Sequence, residues 1–232
     1  MLSEGGYCRT VDFKDKKYVI LCAATASRPY LLDTLKDHSL VLRYPKDIKE
    51  AFIGNEITVD KTKEPKMLCS HPVWNFYTGT WTLNNGIYTR KSENCWQSAE
   101  IFSGTRQMEI EADIILKKGV ACGITIRPNK DDISALSDVE IMLDAKDKKY
   151  LFPDLTVLHI NNLNTRDFNV KYGKPYHLKI LKYGDKLDIF IDDILYLHLT
   201  QLFPDWAKYS IGVIVDRGET QIEFTNLRFE EK

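Results

Sequence analysis

The stretch from Gln107 to Leu116 alternates without a break. Met108, Ile110, Ala112, Ile114 and Leu116 are apolar, while Gln107, Glu109, Glu111 and Asp113 are polar. Successive side chains of a strand point to opposite faces, so this pattern predicts a β-strand with one face in a core and the other in water. The same period recurs between Tyr176 and Phe229. Leu187, Ile189 and Ile191 share one face, and Asp188, Phe190 and Asp192 share the other. Asp192-Asp193 and Asp216-Arg217-Gly218 supply turns between such runs, and Asn84-Asn85-Gly86 is a strong hairpin signal because Asn and Gly tolerate positive φ. Short strands at this spacing imply two stacked antiparallel sheets, an all-β sandwich.

The chain has 232 residues, enough for one large all-β domain or one domain plus a fragment. Tyr7 to Phe13 and Lys17 to Ala24 read as a hairpin around Lys14-Asp15-Lys16, which must lean on something else because a lone hairpin is marginal in water. Strands and a loop are expected from Ser27 to Asp47, then one helical turn from Asp47 to Phe52. The charged run Asp60 to Pro65 marks the expected boundary between a segment 1–65 and a sandwich 66–232. Further strands are expected at Gln97–Phe102, Val120–Arg127, Val139–Leu143, Lys149–Phe152 and Leu155–Ile160. The face Ala121, Gly123, Thr125 and Arg127 is small enough to let a loop or a ligand approach closely.

A formal net charge of -1 provides no field to draw in nucleic acid or an anionic membrane, and neither is expected as a partner. The five cysteines are an odd number without a C-x-x-C pair, and several sit in apolar runs where a thiol acts as a small hydrophobe. With no leader and no apolar stretch of spanning length, a cytoplasmic location is expected. The five histidines stand apart from one another and form no H-E-x-x-H motif, and the lone Cys69-Ser70-His71 pair has no second pair near it, so no metal and no cofactor is expected. Phosphate-loop and nucleophile-elbow motifs are absent, and most acids alternate with apolar residues, as on a solvated strand face. No catalytic residue is assigned. The remaining lead is aromatic: Trp74, Trp81 and Trp96 are the candidate carbohydrate-binding residues, since an indole offers an apolar face to a sugar and a polar handle to water.

Trp74, Gly79 to Tyr88, Met108 to Asp113 and Gly119 to Arg127 together resemble a concanavalin-like (laminin-G-like) sandwich. Leu187–Asp193, Ser210–Val215 and Phe224–Phe229 extend that resemblance. Tyr7–Phe13 with Tyr18–Leu21, followed by Tyr44-Pro45-Lys46-Asp47-Ile48, is similar to the end of the last propeller blade in glycoside hydrolase family 32. In that family a five-bladed propeller precedes a C-terminal sandwich. The resemblance departs at Arg43-Tyr44 before the proline. The family's acid motifs are also missing, for neither Arg166-Asp167-Phe168 nor Glu93-Asn94-Cys95 matches them. It therefore implies the non-catalytic C-terminal part of a glycosidase-like protein, giving structural support and binding an oligosaccharide, with a missing propeller domain or partner subunit. A freestanding lectin, a small sandwich glycosidase with its own carboxylate pair, and a pure assembly module are the alternatives.

Overall fold

The computed structural model describes residues 7–22, 26–46, 55–63, 66–67, 81–91, 96–102, 106–128, 139–145, 156–159, 170–200, 203–204 and 207–229. These residues form eighteen strands. The first nine are β1 (Tyr7–Phe13), β2 (Lys16–Cys22), β3 (Ala26–Thr34), β4 (Leu40–Arg43), β5 (Asn55–Ile57), β6 (Lys66–Met67), β7 (Thr82–Asn84), β8 (Ile87–Lys91) and β9 (Trp96–Phe102). Then follow β10 (Met108–Lys118), β11 (Ala121–Pro128), β12 (Val139–Asp144), β13 (Thr156–His159), β14 (Pro175–Tyr183), β15 (Lys186–Ile191), β16 (Ile194–Leu199), β17 (Tyr209–Asp216) and β18 (Glu219–Phe229). The all-β, two-sheet architecture expected from the alternation is the one observed.

The larger sheet has the order β1-β2-β3-β4-β16-β15-β14-β10-β18-β8-β7, with β5 also paired to β18. The smaller runs β13-β12-β11-β17-β9-β6. The expected antiparallel pairing holds except at β12 and β13, which are parallel. Parallel neighbours need a crossover rather than a tight hairpin, and here the chain between them lies outside the described residues.

The inner faces meet as the alternation demands. Met108, Ile110, Ala112, Ile114 and Leu116 are fully buried, and they share one core with Ile124 and Ile126 of β11 and with Val213 and Val215 of β17. Each of the Met, Ile, Leu and Val side chains among them stabilises the fold by about 1.5–3 kcal/mol before entropy is counted. The hairpin turns follow their residues: Asn85 and Gly86 sit at φ 50 and 80, and Lys14 and Asp15 at 48 and 59. Gly123 answers a different need, because a Cβ there would collide with the carbonyl oxygen of Ile141 on the adjacent strand.

β1 to β4 form a meander that continues the large sheet. Arg43 stands opposite Ile194, and the Tyr44 N–H donates to the Asp193 carbonyl at 3.1 Å. Val19, Leu21, Tyr30 and Tyr44 then pack against Leu181, Tyr183 and Phe190 in a second cluster, on the face of β14 and β15 turned away from the main core. This corrects one expectation. The polar face of β10, β14 and β15 was expected to be wet, but Glu109 and Asp188 are 0% exposed and Lys179 is 3% exposed. The hairpin that had to lean on something folds over that face and closes much of it. The helical turn expected at 47–52 and the strand expected at 149–152 lie outside the described residues.

Candidate functional site

The outer face of the large sheet concentrates the buried polar groups. Register places Arg228, Glu109, Leu181, Asp188 and His198 in one row across β18, β10, β14, β15 and β16. The neighbouring row holds Asn226, Glu111, Lys179 and Phe190. Phe190 is fully buried, with the ring of Tyr30 at 6.1 Å and that of Tyr44 at 5.7 Å. The Tyr44 ring meets Phe190 edge to face and the Tyr30 ring meets it tilted, and an edge-to-face pair at such a distance adds roughly 0.5–1.5 kcal/mol to the burial.

Asp188 is the acceptor at the centre of this face. Its Oδ2 accepts from the hydroxyls of Tyr30 at 2.8 Å and Tyr183 at 3.0 Å, and its Oδ1 lies 2.5 Å from His198 Nδ1. A carboxylate offers no proton, so Nδ1 is the protonated nitrogen of His198 in this arrangement. Tyr30 also lies 3.1 Å from the same nitrogen, which closes the triangle. Burial first, and then the negative charge of Asp188, push the Tyr30 and Tyr183 hydroxyls above their ordinary range, so they remain donors. Arg28 lies 4.2 Å from the Tyr183 ring centroid, a cation over an aromatic face.

Glu109 repeats the motif one strand pair away. Its Oε1 accepts from Tyr44 at 2.8 Å, while its Oε2 has no hydrogen-bond partner among the described residues. Burial raises the Glu109 carboxyl against the opposing pull of the Tyr44 hydrogen bond and Lys179. Further along β10 the face opens. Glu111 meets Lys179 Nζ at 3.0 Å and His177 Nε2 at 3.4 Å, and Asp113 meets His177 Nδ1 at 2.8 Å. Lys179 Nζ sits 3.5 Å from the Tyr44 ring centroid, which links the wet end to the dry one.

The outer face of the small sheet is also largely buried, with polar rows on either side of an apolar one of Met142, Gly123 and Ile214. Asp144, Ala121, Asp216 and Trp96 follow one another across β12, β11, β17 and β9. Two steps on, Glu140, Thr125, Gly212 and Glu100 form a parallel row. Arg127 donates to Thr125 at 3.2 Å and lies 4.0 Å from Glu140, and Arg217 grips Asp216 at 2.8 and 3.0 Å. The expected approach surface of Ala121, Gly123, Thr125 and Arg127 is thus an enclosed one, every member being buried.

Of the three candidate tryptophans, the described residues include one side chain, that of Trp81. Trp81, expected at a sugar-facing surface, is 3% exposed and belongs to the main core, because the strand it precedes turns its indole inward. Trp74 lies outside the described residues. Trp96 opens β9 beside Asp216, and its side chain lies outside them too. Of the cysteines described, Cys122 is buried, with burial pushing its thiol up to about 12, and Cys8 is exposed on β1. The alternation named Glu109 and Asp188 as polar-face residues but gave no sign of their phenol partners. Tyr30 and Tyr44 lie in irregular runs whose folding direction no local pattern states. The described residues also border a shallow depression of about 450 Å³ at Lys61, Thr62, Leu83, Asn85 and Gly86. Among them no group of three or more His, Cys, Asp or Glu side chains is placed to hold a metal ion. No helix among them is long and apolar enough to cross a membrane.

No protein-family profile and no curated protein matches the sequence. Solved structures with a similar two-sheet, concanavalin-like sandwich include the carbohydrate-binding module CBM66 from Bacillus subtilis. That likeness has 21% identity and a TM-score of 0.48, and it covers 64% of this chain and 91% of the module. The sucrose-6-phosphate hydrolase from Lactobacillus gasseri is similar over 97% of this chain at 15% identity and a TM-score of 0.48, and the chain spans only 41% of that enzyme. The exoplasmic/lumenal domain of VIP36, in a form bound to Ca²⁺ and Man2, is similar over 65% of this chain and 79% of its own, at 12% identity and a TM-score of 0.41.

Proposed function

We propose that this chain is the non-catalytic β-sandwich portion of a family 32-like glycosidase, giving structural support and offering a place for an oligosaccharide. One observation carries the reading: the two central carboxylates of the large sheet, Glu109 and Asp188, are 0% exposed and bound to the hydroxyls of Tyr44, Tyr30 and Tyr183. Glycoside hydrolysis needs two carboxyl groups facing each other across a bond in an open cleft. Here the polar groups instead fasten the strands of residues 7–44 to the sandwich. The expected result is no hydrolysis of sucrose or fructan by the chain alone. Turnover that disappears in both Glu109→Gln and Asp188→Asn would overturn the reading.

A freestanding lectin is the second reading, favoured by the row of Asp144, Ala121, Asp216 and Trp96. Among the described residues β6 pairs with β9 at Glu100 and Ala99, and Trp96 stands opposite Asp216 of β17 on the other side of β9. Trp96 is the candidate tryptophan of that row, and an indole offers a sugar ring an apolar face and a polar handle. Calorimetric titration across a glycan panel decides it: saturable binding that weakens in Trp96→Ala supports the lectin, and flat titrations remove it.

A further inference from the structure

β1 ends the large sheet. Its hydrogen-bonded neighbour is β2, and no second strand pairs with it among the described residues. The side chains from Cys8 to Phe13 are all exposed, and Val11 and Phe13, each 48% exposed, are two of the four large apolar side chains left open among the described residues. A bare edge of this length is a template for another strand.

Register states which groups are free. Phe13 stands opposite Lys16 across the two-residue turn, which makes them a hydrogen-bonded pair. Bonded and non-bonded pairs alternate along an antiparallel ladder, so Tyr7, Arg9, Val11 and Phe13 bond to β2. Cys8, Thr10 and Asp12 then turn their N–H and C=O groups to the open edge.

We propose that this edge pairs with the same edge of a second copy of this chain, the two β1 strands running antiparallel about Thr10. A two-fold axis normal to the sheet keeps each residue on its own face, and the strand is self-complementary about that axis. Thr10 meets its own equivalent, Cys8 stands opposite the second copy's Asp12, Arg9 opposite its Val11, and Tyr7 opposite its Phe13. All seven residues are used, with about six backbone hydrogen bonds. Thr–Thr and aromatic–aromatic pairs are the favourable kinds, and neither Arg9 nor Asp12 has a like charge directly opposite, in a strand whose own charges cancel. The pairing continues the ladder already built by β2 and covers part of Val11 and Phe13. An interface of one strand pair is small, so the dimer is a weak one.

Sedimentation of the whole chain from micromolar concentration to about 1 mM, the weak end of specific affinity, tests this. The expected result is a monomer that becomes a dimer across that range. Thr10→Pro removes the N–H aimed at the open edge and leaves the bonds to β2 in place, since proline is tolerated on an edge strand whose N–H faces solvent. It is expected to stay monomeric with an unchanged circular dichroism spectrum. In a Cys8→Ser background, Thr10→Cys is expected to give a covalent dimer on mild oxidation, because the paired Cα atoms would lie about 5.5 Å apart, within disulfide reach. A monomer at every concentration overturns the proposal and leaves the edge to a different chain. A dimer that Thr10→Pro does not weaken overturns it as well. Should that variant unfold, failure of the cysteine variant to cross-link overturns it independently.

Discussion

Glu109 and Glu111 share one face of β10, yet their carboxyls move in opposite directions. Burial lifts Glu109, and its one hydrogen bond comes from a neutral phenol. Burial also lifts Glu111, but His177 and Lys179 more than offset it, and its carboxyl falls to about 2. The difference lies in what the strands of residues 7–44 cover. Over Glu109 they place Tyr44 and its ring; at Glu111 the face keeps its cations, and among the described residues the His177 side chain there is 31% exposed. One sheet face thus has a dry half held by phenol–carboxylate hydrogen bonds and a half-wet end held by ion pairs. Hydrogen bonds to a buried acceptor are costly to break, whereas pairs in water are not.

The largest effect is expected from Asp188→Ala. It leaves the Tyr30, Tyr183 and His198 donors without their shared acceptor, and breaking a buried polar cluster from one side costs about 3–5 kcal/mol. Urea unfolding checks it, and a loss under about 1 kcal/mol would mean that the dry half is held by packing on Phe190 alone. Glu109→Gln comes next and has the opposite sense. A group whose folded pKa is raised contributes stability that is complete below the unfolded value near 4.5 and lost as pH rises through the folded value. Gln keeps the acceptor for Tyr44 and carries no charge, so the variant is expected to match or exceed the native chain at pH 7 and to lack its decline above pH 4.5. Marked destabilisation at pH 7 would show that Glu109 is charged and depends on the positive field of Lys179 and Arg228.

Most of the sandwich was legible in the sequence because each strand carries its own face assignment. Met108 to Leu116 and Leu187 to Ile191 need no long-range information to declare a buried side. The turns at Asn85-Gly86 and Asp192-Asp193 were equally local. Closure of the outer face was not legible. Glu109 and Asp188 look like any solvated acid in a strand, and what buries them is a ribbon of chain distant in sequence from both. Tyr30 and Asp188 are 158 residues apart, and Tyr44 and Glu109 are 65 apart. No periodicity relates such positions. The parallel pairing of β12 and β13 was hidden for a similar reason, since alternation states a face and never a direction. Trp81 shows the converse, for a tryptophan in a strand-rich stretch is most often core, and this one is.

His177→Asn probes the half-wet end and is expected to be smaller. Glu111, and after it Asp113, hold the imidazole up at about 9 against the opposing effect of burial. A raised histidine contributes stability that is complete below about 6.5 and lost as pH rises through 9. The native chain is therefore expected to lose stability across that window and the variant to be flat there. At pH 6 the gap should be no more than about 1 kcal/mol, because the site is partly exposed and screened. The contribution of Glu111 is the same interaction seen from its partner: present above 4.5 and lost as pH falls toward 2. A midpoint that does not move between pH 6 and 9 would remove the ionic account of this end.

Lys46→Ala is the smallest change and the sharpest control. Lys46 Nζ lies 2.5 Å from Asp193 Oδ2, a shorter contact than any made by Lys179, yet the lysine side chain is 66% exposed. Distance alone would rank this pair among the strongest. Solvent screening and the entropy of a long free side chain place it near zero, at most a few tenths of a kcal/mol. Lys179 is the internal comparison, since it reaches the same carboxylate at 3.8 Å from a position 4% exposed. If the contrast between the dry and wet parts of this face is one of burial, Lys179→Met should exceed Lys46→Ala by a wide margin in parallel denaturant titrations. Equal losses would mean that contact distance, and not enclosure by the ribbon, sets the strength of polar interactions here.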